Sequence, residues 1–252
     1  MSHHKPSEDF LIIAHRGFSG AYPENTLLAF DEAIKVGARA MEFDVQLDAD
    51  DEAVVFHDYV LGRTTPEEEE GTRVRDLTTE EFLELDVGAY KDFEFYDTPP
   101  ALLGEVLDRY AEKAFLNIEL KVFDENDAEE INTLARRTLE LIQEHRWNDG
   151  LISSFCPAVL RAIKALDASL PVALLGPKIH ERNLLEDAIA LGAKAYNFDG
   201  RGGVTADDIA AIHRADLKAY AYTINDESRA RELREMGVDG IFTDHPEVML
   251  KL

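Results

Sequence analysis

The chain has little cysteine, no long apolar run and few cations for its acids. Cys156 is the one cysteine among 252 residues, so no disulfide can form within the chain. It lies in a mostly apolar stretch with no histidine beside it, the setting of a packed thiol rather than a nucleophile. No apolar stretch approaches the roughly 18–20 residues that a membrane helix needs. Residues 1–9 lack the apolar core of a secretion signal, so cytoplasmic residence is the expectation, without stable membrane association. Lys and Arg number 26 against 51 Asp and Glu, a net charge of −25 that opposes binding to nucleic acid or anionic lipid. A small phosphate ester is not excluded, because a local cluster of cations or a metal ion can draw it in. The run Glu67 to Glu70 reads as solvated surface, and the adjacent His3 and His4 in a polar tail make a poor metal site.

What is present is rhythm. Short apolar segments alternate with amphipathic ones: Phe10 to Ala14, Ala40 to Leu47, Ala114 to Lys121, Leu151 to Phe155, Pro171 to Leu175, Lys194 to Phe198, Lys218 to Ile224 and Gly240 to Thr243. Eight strands separated by helices close a parallel barrel, and 252 residues suit one such domain spanning 1–252. Helical periodicity marks Asn25 to Val36, Ala128 to His145, Ala158 to Ala168, Leu184 to Leu191, Ala206 to Arg214 and Glu227 to Met236. Thr205 suits an N-cap, while Gly37, Gly192 and Gly237 follow helices where a left-handed residue would end them. The stretch Tyr59 to Tyr110 breaks the rhythm and reads as an insertion, about 59–110, after the second strand. Within it, Thr79 to Leu85 suits a short helix capped by Thr78 or Thr79. Just before it, Ala53 to Phe56 reads as a short strand returning His57 to the barrel mouth.

Catalytic groups of such barrels come from the carboxyl ends of the strands. Here those ends carry His15 and Arg16, Glu42 and Asp44, Glu119 and Lys121, Thr223 and Asn225, and Thr243 and Asp244. Glu42 and Asp44 stand two apart, so in a strand both project to one face; Glu119 and Lys121 repeat the relation. Three carboxylates meeting at one rim would repel or take up protons, whereas a hard divalent cation matches their oxygens. Glu42, Asp44 and Glu119 are therefore candidate ligands of one Mg²⁺ or Ca²⁺, against the plainer reading of Glu119 and Lys121 as an internal ion pair. His15 and His57 are the candidate proton carriers, since an imidazole titrates near about 6.5. Arg16 and Lys121 would supply positive charge for phosphoryl oxygens. His145, His180, His213 and His245 have no comparable company and read as structural. Phe93, Phe95 and Tyr96 read as core of the insertion, with an apolar groove at the mouth as the alternative.

The sequence resembles the glycerophosphodiester phosphodiesterase family. The resemblance rests on His15-Arg16-Gly17, Pro23-Glu24-Asn25-Thr26, Glu42-Phe43-Asp44-Val45 and His57-Asp58, and it is extended by Arg63-Thr64-Thr65, Asn117-Ile118-Glu119-Leu120-Lys121, Ser154-Phe155, Thr223-Ile224-Asn225 and Gly240-Ile241-Phe242-Thr243-Asp244. These motifs occur in the family's order from the first strand to the last. The resemblance implies a TIM barrel with a small inserted region. It implies a divalent metal on Glu42, Asp44 and Glu119, acid and base roles for His15 and His57, and phosphate contacts from Arg16 and Lys121. The implied reaction splits a glycerophosphodiester into glycerol 3-phosphate and an alcohol, the neighbouring glycerol hydroxyl attacking phosphorus before water completes hydrolysis. Tyr222 stands where relatives commonly have Trp, which keeps an aromatic surface for the glycerol side but alters its size. The four glutamates at 67–70 replace a short turn and would disfavour anionic leaving groups. Two alternatives stay open: a lysophospholipase D-type phosphodiesterase, and a noncatalytic phosphate- or metal-binding barrel, which would not need two histidines.

Overall fold

The computed structural model describes residues 10–66, 70–177 and 184–252. Eight strands run parallel around a closed ring: β1 (Leu11–His15), β2 (Ala40–Leu47), β5 (Phe115–Leu120), β6 (Gly150–Ser154), β7 (Val172–Gly176), β8 (Ala195–Asp199), β9 (Lys218–Tyr222) and β10 (Gly240–Thr243). Each pairs with the next in that order, and β1 closes the ring by pairing with both β10 and β2. This is the expected TIM barrel. Two short strands extend the sheet from β2: β3 (Ala53–Val55) pairs antiparallel with the outer part of β2, and β4 (Ala101–Leu102) pairs antiparallel with β3. β3 is the returning strand expected ahead of His57.

The period of two sorts the side chains. Met41, Phe43 and Val45 of β2 and Leu116, Ile118 and Leu120 of β5 join the large core between barrel and helices. Ile13, Ala40, Leu151, Ala173, Ala195, Tyr220 and Phe242 form a separate small cluster that fills the barrel itself. Residues two further along the same faces, among them His15, Glu42 and Tyr222, are thereby carried to the upper end of the interior.

The helices are α1 (Leu27–Lys35), α2 (Thr79–Leu83), α3 (Leu103–Tyr110), α4 (Ala128–Glu144), α5 (Pro157–Leu166), α6 (Leu184–Ala190), α7 (Ala206–Arg214), α8 (Glu227–Met236) and α9 (Pro246–Met249). Thr78 and Thr205 close capping boxes with Glu81 and Asp208. Gly237 ends α8 at φ 95°, a conformation open to glycine at little cost. α1 starts two residues later than its periodicity suggests, because Asn25 is left-handed at φ 58° and Thr26 serves as N-cap. α3 was not anticipated. Its buried Leu103, Val106, Leu107 and Tyr110 carry helical spacing inside a stretch whose prolines and length suggest irregular chain. Tyr110 donates its hydroxyl hydrogen toward Asp31, 2.8 Å away, and so ties α3 to α1.

The segment between β3 and β4 has its own small core of Val54, Phe56, Leu61, Val74, Phe82, Leu85 and Val87. Phe93 and Tyr96 are not part of any core; they are 86% and 66% exposed and stack on each other, while Phe95 packs against Tyr22. No helix among the described residues is long and apolar enough to cross a membrane. Cys156 is buried and unpaired. His213 and His145 lie near Asp239 and Asp108, and His245 near Glu247; His180 and residues 67–69 lie outside the described residues.

Asp239, just ahead of β10, holds the lower end of the barrel. It accepts from the Ala219 amide at 2.8 Å and the Lys218 ammonium at 2.7 Å, and faces His213 Nε2 at 2.8 Å. Burial opposes its charge, yet Lys218, the Ala219 amide and His213 hold it below the usual carboxylate range. We predict that Asp239→Asn loses about 2 kcal/mol at neutral pH, as removal of a buried charged acceptor does. A carboxylate with a depressed folded pKa stabilises above its unfolded value of about 3.9 and stops doing so as pH falls through the folded value. The gap between variant and wild type in urea unfolding should therefore narrow below about pH 4; a gap independent of pH would contradict this assignment.

Candidate active site

Two neighbouring strands, β2 and β5, bring three carboxylates together. Glu42, Asp44 and Glu119 are buried, and each offers an oxygen within 4.8 Å of the others. The cause is register: His15 pairs with Glu42, and Asp44 with Glu119, so adjacent strands present the residues at matching heights on the inward face. Two cations are set among them. Arg16 Nε lies 3.3 Å from Asp44, and Lys121 Nζ lies 3.6 Å from Asp44 and 3.5 Å from Glu119.

Local backbone places Arg16. Its φ of 56° turns the chain sharply at the end of β1, and its amide donates to Glu42 Oε2 at 2.9 Å. Gly17 follows at φ 81°, where a Cβ would meet the Ala29 carbonyl carbon at 2.8 Å. Asn25, also left-handed, donates from Nδ2 to Asp44 at 2.9 Å. Two strained residues in one loop thus serve the same pair of carboxylates, a pattern common where function sets the backbone.

The charges do not balance. Burial and the neighbouring Asp44 and Glu119 push the Glu42 carboxyl well above the ordinary carboxylate range, and burial with Asp44 pushes Glu119 up as well. Asp44 goes the other way: burial opposes its charge, but Arg16, Lys121 and the Asn25 amide hold it low. Oε1 of Glu42 is buried with no hydrogen-bond partner. An orphaned carboxylate oxygen facing two further carboxylates fits a hard divalent cation, whose oxygen ligands these are. The group Glu42, Asp44 and Glu119 could hold one such ion.

Two imidazoles flank the triad. His15 Nδ1 lies 2.7 Å from Asp244 Oδ1, and its Nε2 lies 3.9 Å from Glu42. His57 Nδ1 lies 2.6 Å from Asp58 Oδ1. A carboxylate can only accept, so Nδ1 of each ring carries the hydrogen and Nε2 is left for other partners. Asp244 is itself held by the Asn225 amide at 2.6 Å and the Ser19 hydroxyl at 3.1 Å.

A cavity of about 240 Å³ joins these groups. His15, Arg16, Glu42, His57, Glu119 and Lys121 form its charged side, and Phe155, Leu175, Tyr222 and Phe242 its apolar side. Tyr222 is fixed by donating its hydroxyl hydrogen to the Gly176 carbonyl at 2.8 Å. Every residue given a metal, acid–base or substrate role from the sequence therefore lines this cavity, except Asp44, which sits behind it between Arg16, Lys121 and Asn25; of the other strand-end groups Thr223 lines it, and Asn225, Thr243 and Asp244 do not. Residues not singled out individually are Asn25, Glu24, Asp58 and Arg63. They lie inside the quoted motifs; Asn25 and Glu24 meet partners 19 and 39 positions away, which no spacing rule reveals, whereas Asp58 meets its neighbour His57 and the nearby Arg63.

Comparison with known proteins agrees with this geometry. The family model of the glycerophosphoryl diester phosphodiesterase family matches residues 15–248. A glycerophosphodiester phosphodiesterase of Bacillus altitudinis is 35% identical over 250 residues, covering 96% of this chain and 97% of its own length. Another, of Caldanaerobacter subterraneus subsp. tengcongensis, is 32% identical over 246 residues, covering 96% and 97%. The solved structure of an Oleispira antarctica phosphodiesterase in complex with the product sn-glycerol-3-phosphate superimposes with a TM-score of 0.86 at 30% identity, covering 97% of each chain.

If the triad takes a divalent cation, adding it should stabilise the fold. An ion at about 100 times its dissociation constant adds about 2.7 kcal/mol. We predict that Mg²⁺ or Ca²⁺ raises the melting temperature of chelator-treated protein, and that Glu119→Gln and Glu42→Gln lose this rise. An equal rise in both variants would remove these residues as ligands.

Proposed function

The chain belongs to the glycerophosphoryl diester phosphodiesterase family, and on that premise we propose that it hydrolyses glycerophosphodiesters to glycerol 3-phosphate and an alcohol, with His15 and His57 as its acid and base. The observation that carries this reading is the pair of imidazoles, each anchored through Nδ1 to its own carboxylate and both lining the cavity that Glu42 and Glu119 also line. A binding protein would need the cations and the carboxylates but not two oriented proton carriers.

Glu42, Asp44 and Glu119 would hold one Mg²⁺ or Ca²⁺. When bound, such an ion supplies Lewis-acid stabilisation of charge on phosphoryl oxygens. The chain's own groups do the rest. Arg16 offers a guanidinium fork to the nonbridging phosphoryl oxygens, and Lys121 a point charge. Lys121 stays charged because Asp44 and Glu119 outweigh the effect of its burial. The apolar wall of Phe155, Leu175, Tyr222 and Phe242 takes the carbon face of the glycerol moiety and keeps competing water from it.

In the first step one imidazole Nε2 accepts the proton of the attacking glycerol hydroxyl as its oxygen bonds to phosphorus. The other donates a proton to the leaving alkoxide as the P–O bond to the alcohol breaks. In the second step water attacks phosphorus, losing a proton to the imidazole that acted as acid, while the P–O bond formed in the first step breaks and the other imidazole returns its proton to the glycerol oxygen, so both regain their starting protonation. Asp244 and Asp58 fix the tautomers throughout and stabilise each ring when it carries a second proton.

We predict that His15→Ala and His57→Ala each lower turnover of glycerophosphocholine at least about 100-fold while leaving the circular dichroism unchanged. Glycerol 3-phosphate release measures this directly. Wild-type turnover in either variant would remove that residue from the acid–base scheme. Stripping divalent ions with chelator and restoring them should abolish and recover activity; activity indifferent to complete removal would refute the assigned ion.

A further inference from the structure

A chain of hydrogen-bonded polar groups runs from Arg16 to His57 through three residues, Glu24, Arg63 and Asp58, that do not line the cavity. Arg16 Nη1 donates to Glu24 Oε1 at 2.7 Å. Arg63 grips the same Glu24 with both ends of its fork, Nη2 to Oε1 at 2.7 Å and Nη1 to Oε2 at 2.8 Å. The third nitrogen of that guanidinium, Nε, donates to Asp58 Oδ2 at 2.6 Å. The other oxygen of Asp58 receives His57 Nδ1. Four charged groups and the His57 imidazole thus connect the turn after β1 with the loop after β3.

From this connection we infer that Glu24 and Arg63 are positioning residues for the phosphodiesterase reaction, setting the Arg16 guanidinium and the His57 imidazole at a fixed relation across the cavity. The inference rests on the reading of Arg16 as a phosphate contact and His57 as a proton carrier. Three features of the structure support it. Arg63 is spread over two carboxylates at once, a geometry its planar fork permits and a lysine ammonium does not. The two middle residues are braced: the Glu24 amide donates to the Tyr90 hydroxyl of the insertion at 3.0 Å, and beside Arg63 the Gly62 amide donates to Thr65 Oγ1 at 2.8 Å. The charges are also retained against burial: Arg63 and Arg16 hold the Glu24 carboxyl below the usual range although burial raises it, and His57 and Arg63 hold Asp58 at about 2 against the same effect.

Arg16 has a second set of partners in Glu42 and Asp44, so Glu24 is not needed to keep it in the site. What Glu24 adds is direction. It takes the hydrogen bond of Nη1 on one side of the fork while Asp44 lies 3.3 Å from Nε on the other, an ion pair without a hydrogen bond. His57 Nδ1 is held by Asp58, and Asp58 is in turn held by Arg63. A shift at Arg63 would move both ends together, and misplacement by about 1 Å can cost on the order of 100-fold in rate.

The test is a double-mutant cycle. Arg63→Gln, Glu24→Gln and the double variant are assayed with glycerophosphocholine in enzyme saturated with Mg²⁺ or Ca²⁺, and inorganic phosphate serves as a competitive inhibitor that reports on the Arg16 end. Each single variant is expected to lose kcat by about 10-fold or more and to bind phosphate several-fold more weakly, the double losing little beyond the worse single, since residues acting as one unit are not additive. Losses that multiply, or kcat and phosphate inhibition both at wild-type values, overturn the inference. Arg63→Lys keeps the charge without the fork and guards against misfolding of Arg63→Gln; it should fall between wild type and Arg63→Gln, and wild-type kinetics in it would likewise overturn the inference. Arg16→Ala and His57→Ala run alongside. If those two retain full turnover, the parent reading fails; if they are inactive while the Glu24 and Arg63 variants match wild type, only this inference fails.

Discussion

Three carboxylates share a buried space in which each has an oxygen within 4.8 Å of the others, and the architecture around them answers that repulsion. Two fixed cations, Arg16 and Lys121, stand against three acids, so one negative charge is left over. The surplus appears in the carboxyl groups of Glu42 and Glu119, held above their ordinary range, and in the Glu42 oxygen without a partner. A divalent cation or an added proton relieves it; a folded chain with neither bears the cost.

The barrel makes such a cluster tolerable. Its lower interior is apolar, packed with Ile13, Ala40, Leu151, Ala173, Ala195, Tyr220 and Phe242. That packing sets strand heights, and strand heights set which residues meet at the upper rim. The outer core of Met41, Phe43, Val45, Ile118 and Leu120 stabilises the same strands from behind, so Glu42, Asp44 and Glu119 are held by a frame that does not depend on their charge. The strain of Arg16 and Asn25 in left-handed backbone is carried by the same frame, and in return their amide groups hold Glu42 and Asp44 in place.

Much of this was legible in the linear chain. Strands read from apolar runs agree with the eight barrel strands to within a residue or two, because parallel strands buried on both faces must be apolar almost throughout. Glu42 with Asp44, and Glu119 with Lys121, were readable because a strand's period of two leaves no choice of face. α3 was hidden by its setting after two prolines, although its own spacing of apolar residues is helical. Phe93 and Tyr96 were misjudged because aromatic side chains usually pack, and no local rule says that nothing lies above them. Asn25 was read as helix; its side chain is taken by Asp44, and a backbone turned to φ 58° cannot continue α1.

Residue order alone determined the strand and helix pattern, the inward face of each strand and the family to which the chain belongs, because all three follow from local periodicity and from motifs in order. Tertiary structure decided the rest. Asp244 reaches His15 across 229 positions, and Arg63 reaches Glu24 across 39, so these contacts exist only once the ring has closed. The reason is physical: a hydrogen bond or ion pair is specified to a few tenths of an ångström, and only packing of the whole barrel fixes groups so distant in sequence to that tolerance.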